Sequence, residues 1–107
     1  MRDPIPAVTV QLTKLVDDGN PPAVECRLTD SNGQTHIFIE KITLVSLLDD
    51  LPEAGGATGS ICCQVLSSWQ DDEGRRLTKV NTELPWHVTS LDGVSEFTVL
   101  SSQIHTI

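Results

Sequence analysis

The chain has 107 residues, 38% of them hydrophobic, and a net charge of −8 at neutral pH. This length suits one small domain, and the excess of carboxylates argues against nucleic acid or a membrane as the partner, since anionic surfaces attract lysine and arginine. No apolar run approaches the ~20 residues that a membrane-spanning helix needs, and the N-terminus lacks the apolar stretch of a signal peptide. We therefore predict one cytoplasmic domain over residues 1–107, with an N-terminal arm at residues 1–6.

Hydrophobic residues at every second position predict strands with one buried face in the first third of the chain. The inward rows are Val8, Val10 and Leu12, then Val24, Cys26 and Leu28, then Ile37 and Ile39. Between the second and third rows lies Asn32-Gly33, a dipeptide typical of the type I′ turn. These patterns predict three antiparallel strands in meander order.

The hydrophobic period changes from two to that of a helix in residues 42–52. A helical stripe is formed by Leu44, Leu47, Leu48 and Leu51. Ser46 and Asp49 have the spacing of a capping box, and Pro52 ends the segment. We predict a short helical turn packed over one end of the sheet; the alternative is that residues 43–48 extend the third strand.

A Gly-rich connecting loop at residues 53–60 leads to a second group of predicted strands. The first of them has Ile61, Cys63, Val65 and Trp69 on one face. Residues 71–74 predict a hairpin loop whose glycine adopts a left-handed conformation. Leu77 and Val80 differ in parity, which indicates a bulge in the strand that they share.

The remaining strands are predicted around residues 86–99. Trp86 and Val88 are expected to face inward together, Asp92-Gly93 is a second type I′ candidate, and Phe97 with Val99 completes the core. The whole pattern predicts an all-β domain, a small barrel or half-open barrel of about seven short antiparallel strands with one short helical turn. A sandwich is the alternative.

The three cysteines are predicted to be reduced thiols, since an odd number with two adjacent is not a disulfide framework. Neighbouring side chains of a strand point to opposite faces, so Cys62 and Cys63 cannot reach one ion. We expect Cys63 to be buried and Cys62 to be partly exposed. No metal, cofactor or catalytic residue is predicted: the histidines have no ligand spacing, and neither a P-loop nor a Gly-x-Ser-x-Gly motif is present.

Candidate interaction residues are predicted at three places. Trp86 is expected to be a core or barrel-end plug, and its functional alternative is a contact anchor with His87 on the opposite face near the rim, because tryptophan is enriched at interface centres. The acidic hairpin tip supplies Asp71, Asp72 and Glu73. Ile104 lies in a tail, residues 99–107, that contains no charged residue or proline to guard an edge. The tail therefore either packs back on its own domain or pairs with a second copy, and the sequence slightly favours a homodimer.

Two functions fit these features. The first is a non-catalytic protein-interaction module, similar in profile to an inhibitor or immunity protein, whose acidic surface binds a basic protein partner. The second is a small enzyme or ligand-binding barrel with a polar site at one open end. Convergence of Trp86, His87, Cys62 and His36 in one pocket would favour the second function, and dispersal would favour the first.

Overall fold

The computed structural model describes residues 5–19, 21–45, 57–84 and 86–106, which form two antiparallel sheets. The strands are β1 (Pro6–Asp17), β2 (Ala23–Thr29), β3 (Thr35–Lys41), β4 (Ala57–Cys62), β5 (Gln64–Gln70), β6 (Arg76–Asn81), β7 (Glu96–Leu100) and β8 (Ile104–Thr106). A short helix, α1 (Ile42–Val45), follows β3, and a 3-10 turn (Ser101–Gln103) precedes β8. The described part therefore has eight strands and confirms the all-β prediction.

The first sheet has the order β3-β2-β1-β4, and β8 also pairs with β1. Val8 faces Ile61 of β4 on one side and Ile104 of β8 on the other. β8 therefore lies on the same side of β1 as β2, beyond the point where β2 ends. The tail packs back on its own chain, which is the intramolecular alternative of the two that the sequence leaves open.

The second sheet has the order β5-β6-β7. Only Cys63 separates β4 from β5, so the chain passes almost directly from the first sheet to the second. The register of β5 against β6 shifts between Val65 and Ser67. The predicted irregularity exists, but it lies in β5 and not in the strand that contains Leu77 and Val80.

The core lies between the two sheets and contains the first two predicted rows. All six residues of those rows are buried: Val8, Val10, Leu12, Val24, Cys26 and Leu28. For the third row, the prediction that Ile37 and Ile39 face the core was wrong. Phe38 pairs with Cys26 and is fully buried, whereas Ile37 pairs with the exposed Arg27 and is only half-buried. Phe38 packs edge-on against Phe97 at 5.6 Å between ring centroids, and this contact joins the sheets.

The two predicted type I′ turns are corrected by the structure. Gly33 and Gly93 have φ angles of 81° and 80°, but a type I′ turn also needs a positive φ at the preceding residue, and among the described residues His87 alone has one without being glycine. The observed turns are three-residue loops closed by a glycine in the left-handed region. Residues 71–75 form the same turn, which confirms the left-handed glycine predicted there.

Side-chain acceptors explain the choice of turn. The Asp30 carboxylate accepts hydrogen bonds from the Asn32 and Gln34 N–H groups, at 2.9 and 3.0 Å. Asp71 accepts in the same way from Glu73 and Arg75. An aspartate at the first turn position thereby stabilises the three-residue turn. The Asn-Gly dipeptide alone predicts a two-residue type I′ turn and does not reveal this contribution of the aspartate.

The short helix confirms helix rather than strand at Ile42–Val45, while residues 46–56, with the rest of the predicted stripe and capping box, lie outside the described residues. α1 packs on β4 at Gly59, where a Cβ atom would collide with the carbonyl oxygen of Val45. Residues 57–60 were predicted as loop but belong to β4. No helix in the described ranges is long and apolar enough to cross a bilayer.

Two predicted inward residues are instead exposed. Trp69 lies in β5, whose seven residues are all exposed, because the chain leaves the first sheet at Cys63 and the face of Ile61 does not continue into β5. Trp86 is 42% exposed and lies outside any strand. Val88 is buried as predicted, but through a loop rather than through a strand.

Candidate functional site: an acidic and apolar loop

The connection between β6 and β7, residues 82–95, is organised around the buried residue Thr82. The Thr82 N–H donates to the carbonyl of Ser95 at 2.8 Å and closes the base of the loop. The Thr82 hydroxyl donates to the carbonyl of Val88 at 2.7 Å, and the Val88 N–H donates back to Thr82 at 3.1 Å. Because these polar groups are paired, the described residues of the loop have a defined conformation although they form no strand.

A second set of bonds anchors the far part of the loop. The Leu91 N–H donates to the carbonyl of Ile37 in β3 at 2.8 Å, so the loop is attached to the first sheet as well as the second. Ser90 forms the turn that Gly93 closes, and its hydroxyl accepts the Val94 N–H at 3.1 Å. We call residues 82–95 the loop surface.

The loop surface exposes large apolar side chains. They are Leu84, Trp86, Leu91 and Val94, of which Leu91 is the most exposed at 65%. Scattered apolar side chains are normal on a protein surface, but here one hydrogen-bonded loop presents four of them. A rigid loop loses little conformational entropy on binding, which makes such side chains effective contacts.

Two exposed carboxylates accompany these side chains. Glu83 and Asp92 lie in the same loop, and neither forms an ion pair within the described part of the chain. Five cations are engaged with carboxylates elsewhere: Lys14, Arg27, Lys41, Arg75 and Lys79. The loop surface is therefore apolar and acidic.

His87 directs the course of this loop. Its φ of 56° places it in the left-handed region, which non-glycine residues seldom occupy. Its N–H donates to the carbonyl of Glu83 at 2.7 Å, and its side chain is exposed. The reversal at His87 explains why Trp86 and Val88 do not face inward together as predicted.

The other predicted interaction residues lie elsewhere. Asp71 is bound to Arg75 at 2.8 Å, and although burial raises its pKa, the hydrogen bonds from the Arg75 N–H and side chain hold that pKa below its usual value. Asp72 and Glu73 are exposed at the same hairpin tip. Ile104 is half-buried and packs against the core. Thus Trp86 and His87 share the loop surface, while the hairpin tip and the tail are separate features.

Convergence in one pocket, which would favour an enzyme or ligand-binding barrel, is not seen in the described structure for Trp86, His87, Cys62 and His36. His36 binds Asp30 at 2.8 Å and packs edge-on against Phe97 at 4.7 Å. Cys62 is buried in β4, which corrects the prediction that it is partly exposed. No hydrogen bond or ring contact of the described residues joins either of them to Trp86 or His87. This dispersal favours an interaction surface.

A polar cluster that the sequence analysis missed lies across β1, β4 and β8. The Ser60 hydroxyl lies 2.7 Å from Nε2 of His105, and the Thr9 hydroxyl lies 3.2 Å from Nδ1 of the same ring. An open pocket of about 160 Å³ begins at Thr9; its other lining residues are Val10, Gln11, Arg27, Thr29 and Gln103. Ser60 and Thr9 lie 45 and 96 positions from His105 in sequence, so only the pairing of three strands could reveal the cluster.

The chemistry of the thiols and carboxylates agrees with a structural role for both. Burial raises the pKa of Cys26 to about 12 and that of Cys63 to about 11, so these thiols are poor nucleophiles. Hydrogen bonds from Thr13 and Arg27 lower the pKa of the buried Glu25. Within the described ranges no group of three or more His, Cys, Asp or Glu side chains could hold a metal ion.

The comparisons with known proteins identify no relative of the chain. No family model matches the chain, and no curated protein or solved structure is significantly similar to it. Any functional argument must therefore come from the surfaces of this chain.

Proposed function

We propose that the protein is a non-catalytic protein-interaction module and that the loop surface binds a basic protein partner. The observation that carries this proposal is the exposed Trp86 on a hydrogen-bonded loop that also contains Glu83 and Asp92, whose carboxylates form no ion pair within the described residues. A tryptophan at the centre of an interface supplies a large apolar contact, and carboxylates around it select a cationic partner. The net charge of −8 attracts that partner at long range.

The proposal also includes the architecture of the domain and the compartment in which the protein lies. The bonds from Leu91 to Ile37 and from Ser31 to Thr98 connect β3 and the β2–β3 turn to the second sheet, which supports a half-open barrel. Three buried free cysteines support a reducing compartment such as the cytoplasm.

The test is affinity capture from the native host with the full-length chain, quantified by mass spectrometry. The protein has two exposed tryptophans, Trp86 at 42% and Trp69 at 39%, so Trp69→Ala is a matched control for Trp86→Ala. We expect a basic protein to be retained by the wild type and by Trp69→Ala, and to be reduced at least tenfold by Trp86→Ala. Equal capture by both variants would refute the loop surface as the binding site.

A second candidate function is hydrolysis of activated esters at Ser60, and the 2.7 Å contact with His105 favours it. With the ring proton on Nδ1, His105 donates to Thr9 and its Nε2 accepts the Ser60 proton as the hydroxyl oxygen attacks the carbonyl. The protonated His105 ring then gives its Nε2 proton to the departing alkoxide or phenolate. Water, deprotonated by the same nitrogen, attacks the acyl–Ser60 ester, and the returned proton restores the Ser60 hydroxyl as the carboxylic acid leaves. A carboxylate that would orient His105 is absent from the described contacts.

The hydrolytic candidate is tested with p-nitrophenyl acetate. It requires that Ser60→Ala and His105→Gln each abolish turnover, while His87→Gln, a change at an exposed histidine of the loop surface, leaves the rate unchanged. A wild-type rate no higher than that of free imidazole at equal concentration excludes it.

A further inference from the structure

A gap in the first sheet lies beside Thr9, where the partner of β1 changes from β8 to β2. β1 pairs with β8 from Pro6 to Val8, and its pairing with β2 begins at Gln11. The next pair in the β2 register would join Thr9 to Thr29, but the pairing of the two strands ends before it. The open pocket of about 160 Å³ that Thr9, Gln11 and Thr29 help to line therefore lies between the ends of β2 and β8.

Main-chain polar groups face this gap. The Pro6 carbonyl accepts the Cys63 N–H at 3.0 Å and so points to the β4 side of β1. Main-chain groups alternate in direction along a strand, and the register of β1 with β4 is unbroken, so those of Thr9 point to the opposite side and into the gap. The pocket therefore offers main-chain as well as side-chain hydrogen-bonding groups.

The Gln103 side chain fixes the two walls of the gap relative to each other. Its Nε2 donates to the Thr29 carbonyl at the end of β2 at 2.9 Å, and its Oε1 accepts the Leu100 N–H at 2.9 Å. The carboxamide thus joins β2 to the turn that precedes β8. A pocket held in this way loses little conformational entropy when it binds a ligand.

The charge of the lining differs from that of the chain as a whole. Arg27 is the one charged residue among the six that line the pocket, although the chain has 15 aspartates and glutamates. The other lining residues are two threonines, two glutamines and one valine. The pocket is therefore a polar and cationic place on an acidic protein.

Positive charge is also in excess beside the pocket. Glu25 contacts both Arg27, at 3.0 Å, and Lys14, at 3.5 Å, so two cations share one carboxylate. In the other lysine and arginine ion pairs of the described residues, each cation has at least one carboxylate to itself. The contact with Glu25 uses Nε of Arg27, and the guanidinium carries four further N–H donors on its two amino groups.

We propose that this pocket binds a small hydroxylated monocarboxylate, with Arg27 holding the carboxylate and the Thr9 carbonyl accepting the hydroxyl proton. Guanidinium and carboxylate groups match in shape and form strong charge-assisted hydrogen bonds. The pocket includes no residue of the loop surface, so the proposal goes beyond the proposed function.

Size and charge restrict the ligand further. An apolar cavity of about 150 Å³ holds benzene, so a pocket of about 160 Å³ suits a molecule of about six non-hydrogen atoms, such as lactate. The net charge of −8 repels anions, and this repulsion is greater for a dianion than for a monoanion. One shared carboxylate and two cations leave a single positive charge, which a monocarboxylate neutralises.

NMR titration of the ¹⁵N-labelled full-length chain with sodium L-lactate tests the proposal, at constant ionic strength and up to about 50 mM ligand. We expect saturable shifts of the Thr29 amide and the Gln103 side-chain amide, with a dissociation constant on the order of 1 mM. Propionate, which lacks the hydroxyl, and inorganic phosphate, which is largely a dianion at pH 8, should each bind at least fivefold more weakly.

Arg27→Gln is the disrupting variant, and Arg75→Gln is its matched control. Both arginines bind a carboxylate through Nε, and their side chains are 48% and 41% exposed. We expect Arg27→Gln to weaken lactate binding at least tenfold, whereas Arg75→Gln should leave it within twofold. Ser60→Ala should also leave it unchanged, which separates this site from the hydrolytic candidate.

The wild-type titrations decide the proposal even where Arg27→Gln does not fold. No saturable shift at about 50 mM lactate, or propionate or phosphate binding as tightly as lactate, would overturn it. Equal lactate binding by folded Arg27→Gln and by the wild type would overturn it as well.

Discussion

Thr82 is the residue on which the shape of the loop surface depends most. It is fully buried, and its hydroxyl bonds to the Val88 carbonyl at 2.7 Å and reaches that of Ser95 at 3.3 Å. Thr82 thus holds both arms of the loop, the Val88 arm through its hydroxyl and the Ser95 arm mainly through its N–H at 2.8 Å, and the exposed position of Trp86 follows from this arrangement.

Thr82→Val tests that role, since valine has nearly the same shape and lacks the hydroxyl. Leaving the buried Val88 carbonyl without the hydroxyl that donates to it should lower the free energy of unfolding by about 1–3 kcal/mol. Urea denaturation measures the loss, and hydrogen exchange should become faster at Val88. Thr35→Val, at an exposed threonine of β3, should change stability by less than about 0.5 kcal/mol. Equal effects of the two variants would contradict the account.

Gly59 is required by the close approach of α1 to β4. An added Cβ would collide with the Val45 carbonyl and lie 2.9 Å from Cδ2 of Leu12. Gly59→Ala should therefore destabilise the protein by about 2–4 kcal/mol, since backbone cannot move as a flexible side chain can. Gly33→Ala is the comparison, because Gly33 has a φ of 81° but nothing near its Cβ position, and it should cost only about 1 kcal/mol. Urea denaturation in which Gly33→Ala costs more would contradict this packing argument.

At the scale of elements, the β2–β3 hairpin joins a turn to the core through one carboxylate. Asp30 accepts hydrogen bonds from two turn N–H groups and from His36, whose ring packs on Phe97. Burial alone would raise the pKa of Asp30, but these hydrogen bonds more than offset it and hold that pKa below its ordinary value. The carboxylate thereby couples hairpin stability to pH.

Asp30→Asn should remove part of the acid sensitivity of folding. A carboxylate with a lowered pKa stabilises the folded state above its unfolded pKa of about 3.9, and this contribution is lost as the pH falls through the folded value. The wild type should lose more stability than the variant between about pH 5 and 3, while at pH 7 the variant is about 1–2 kcal/mol less stable. Thermal melts across this range measure both effects, and Asp92→Asn is the exposed control. A variant with the same pH slope as the wild type would contradict the coupling.

The predictability of the elements differs along the chain for a physical reason. The rows of β1 and β2 are predictable because each has one buried face and strict alternation. β3 carries hydrophobic residues on both faces, so alternation alone cannot choose between Ile37 and Phe38. β5 alternates imperfectly, and nothing local announces that the chain changes sheets at Cys63.

The candidate site shows the same division. The residue type makes Trp86 a candidate contact residue, but the alternation pattern places it inward, and its exposure follows from Thr82 and from the left-handed His87, neither of which a local pattern shows. The cluster of Ser60, Thr9 and His105 requires the pairing of distant strands. Residue type therefore predicts which side chains could take part in a site, and the pairing of strands distant in sequence decides which of these side chains lie close together.

For the whole molecule, charge and exposed apolar side chains distinguish two regions of the surface, the loop surface and β5. The loop surface combines Trp86 with two carboxylates that form no ion pair within the described part of the chain, which is the basis for proposing a basic partner. β5 contains no charged residue and exposes Val65, Leu66 and Trp69. Salt should therefore weaken association of a basic partner with the loop surface.

Site-specific photo-crosslinking tests the loop surface most directly. A photoreactive amino acid is placed at Leu91, the most exposed apolar residue there, or at Asn32, an exposed control in the β2–β3 turn, and each full-length protein is irradiated in extract of the native host. We predict an adduct with a basic protein from position 91 that weakens with salt, disappears with Trp86→Ala and is absent from position 32. Equal adducts from both positions, or none from position 91, would contradict a partner-binding role for this loop.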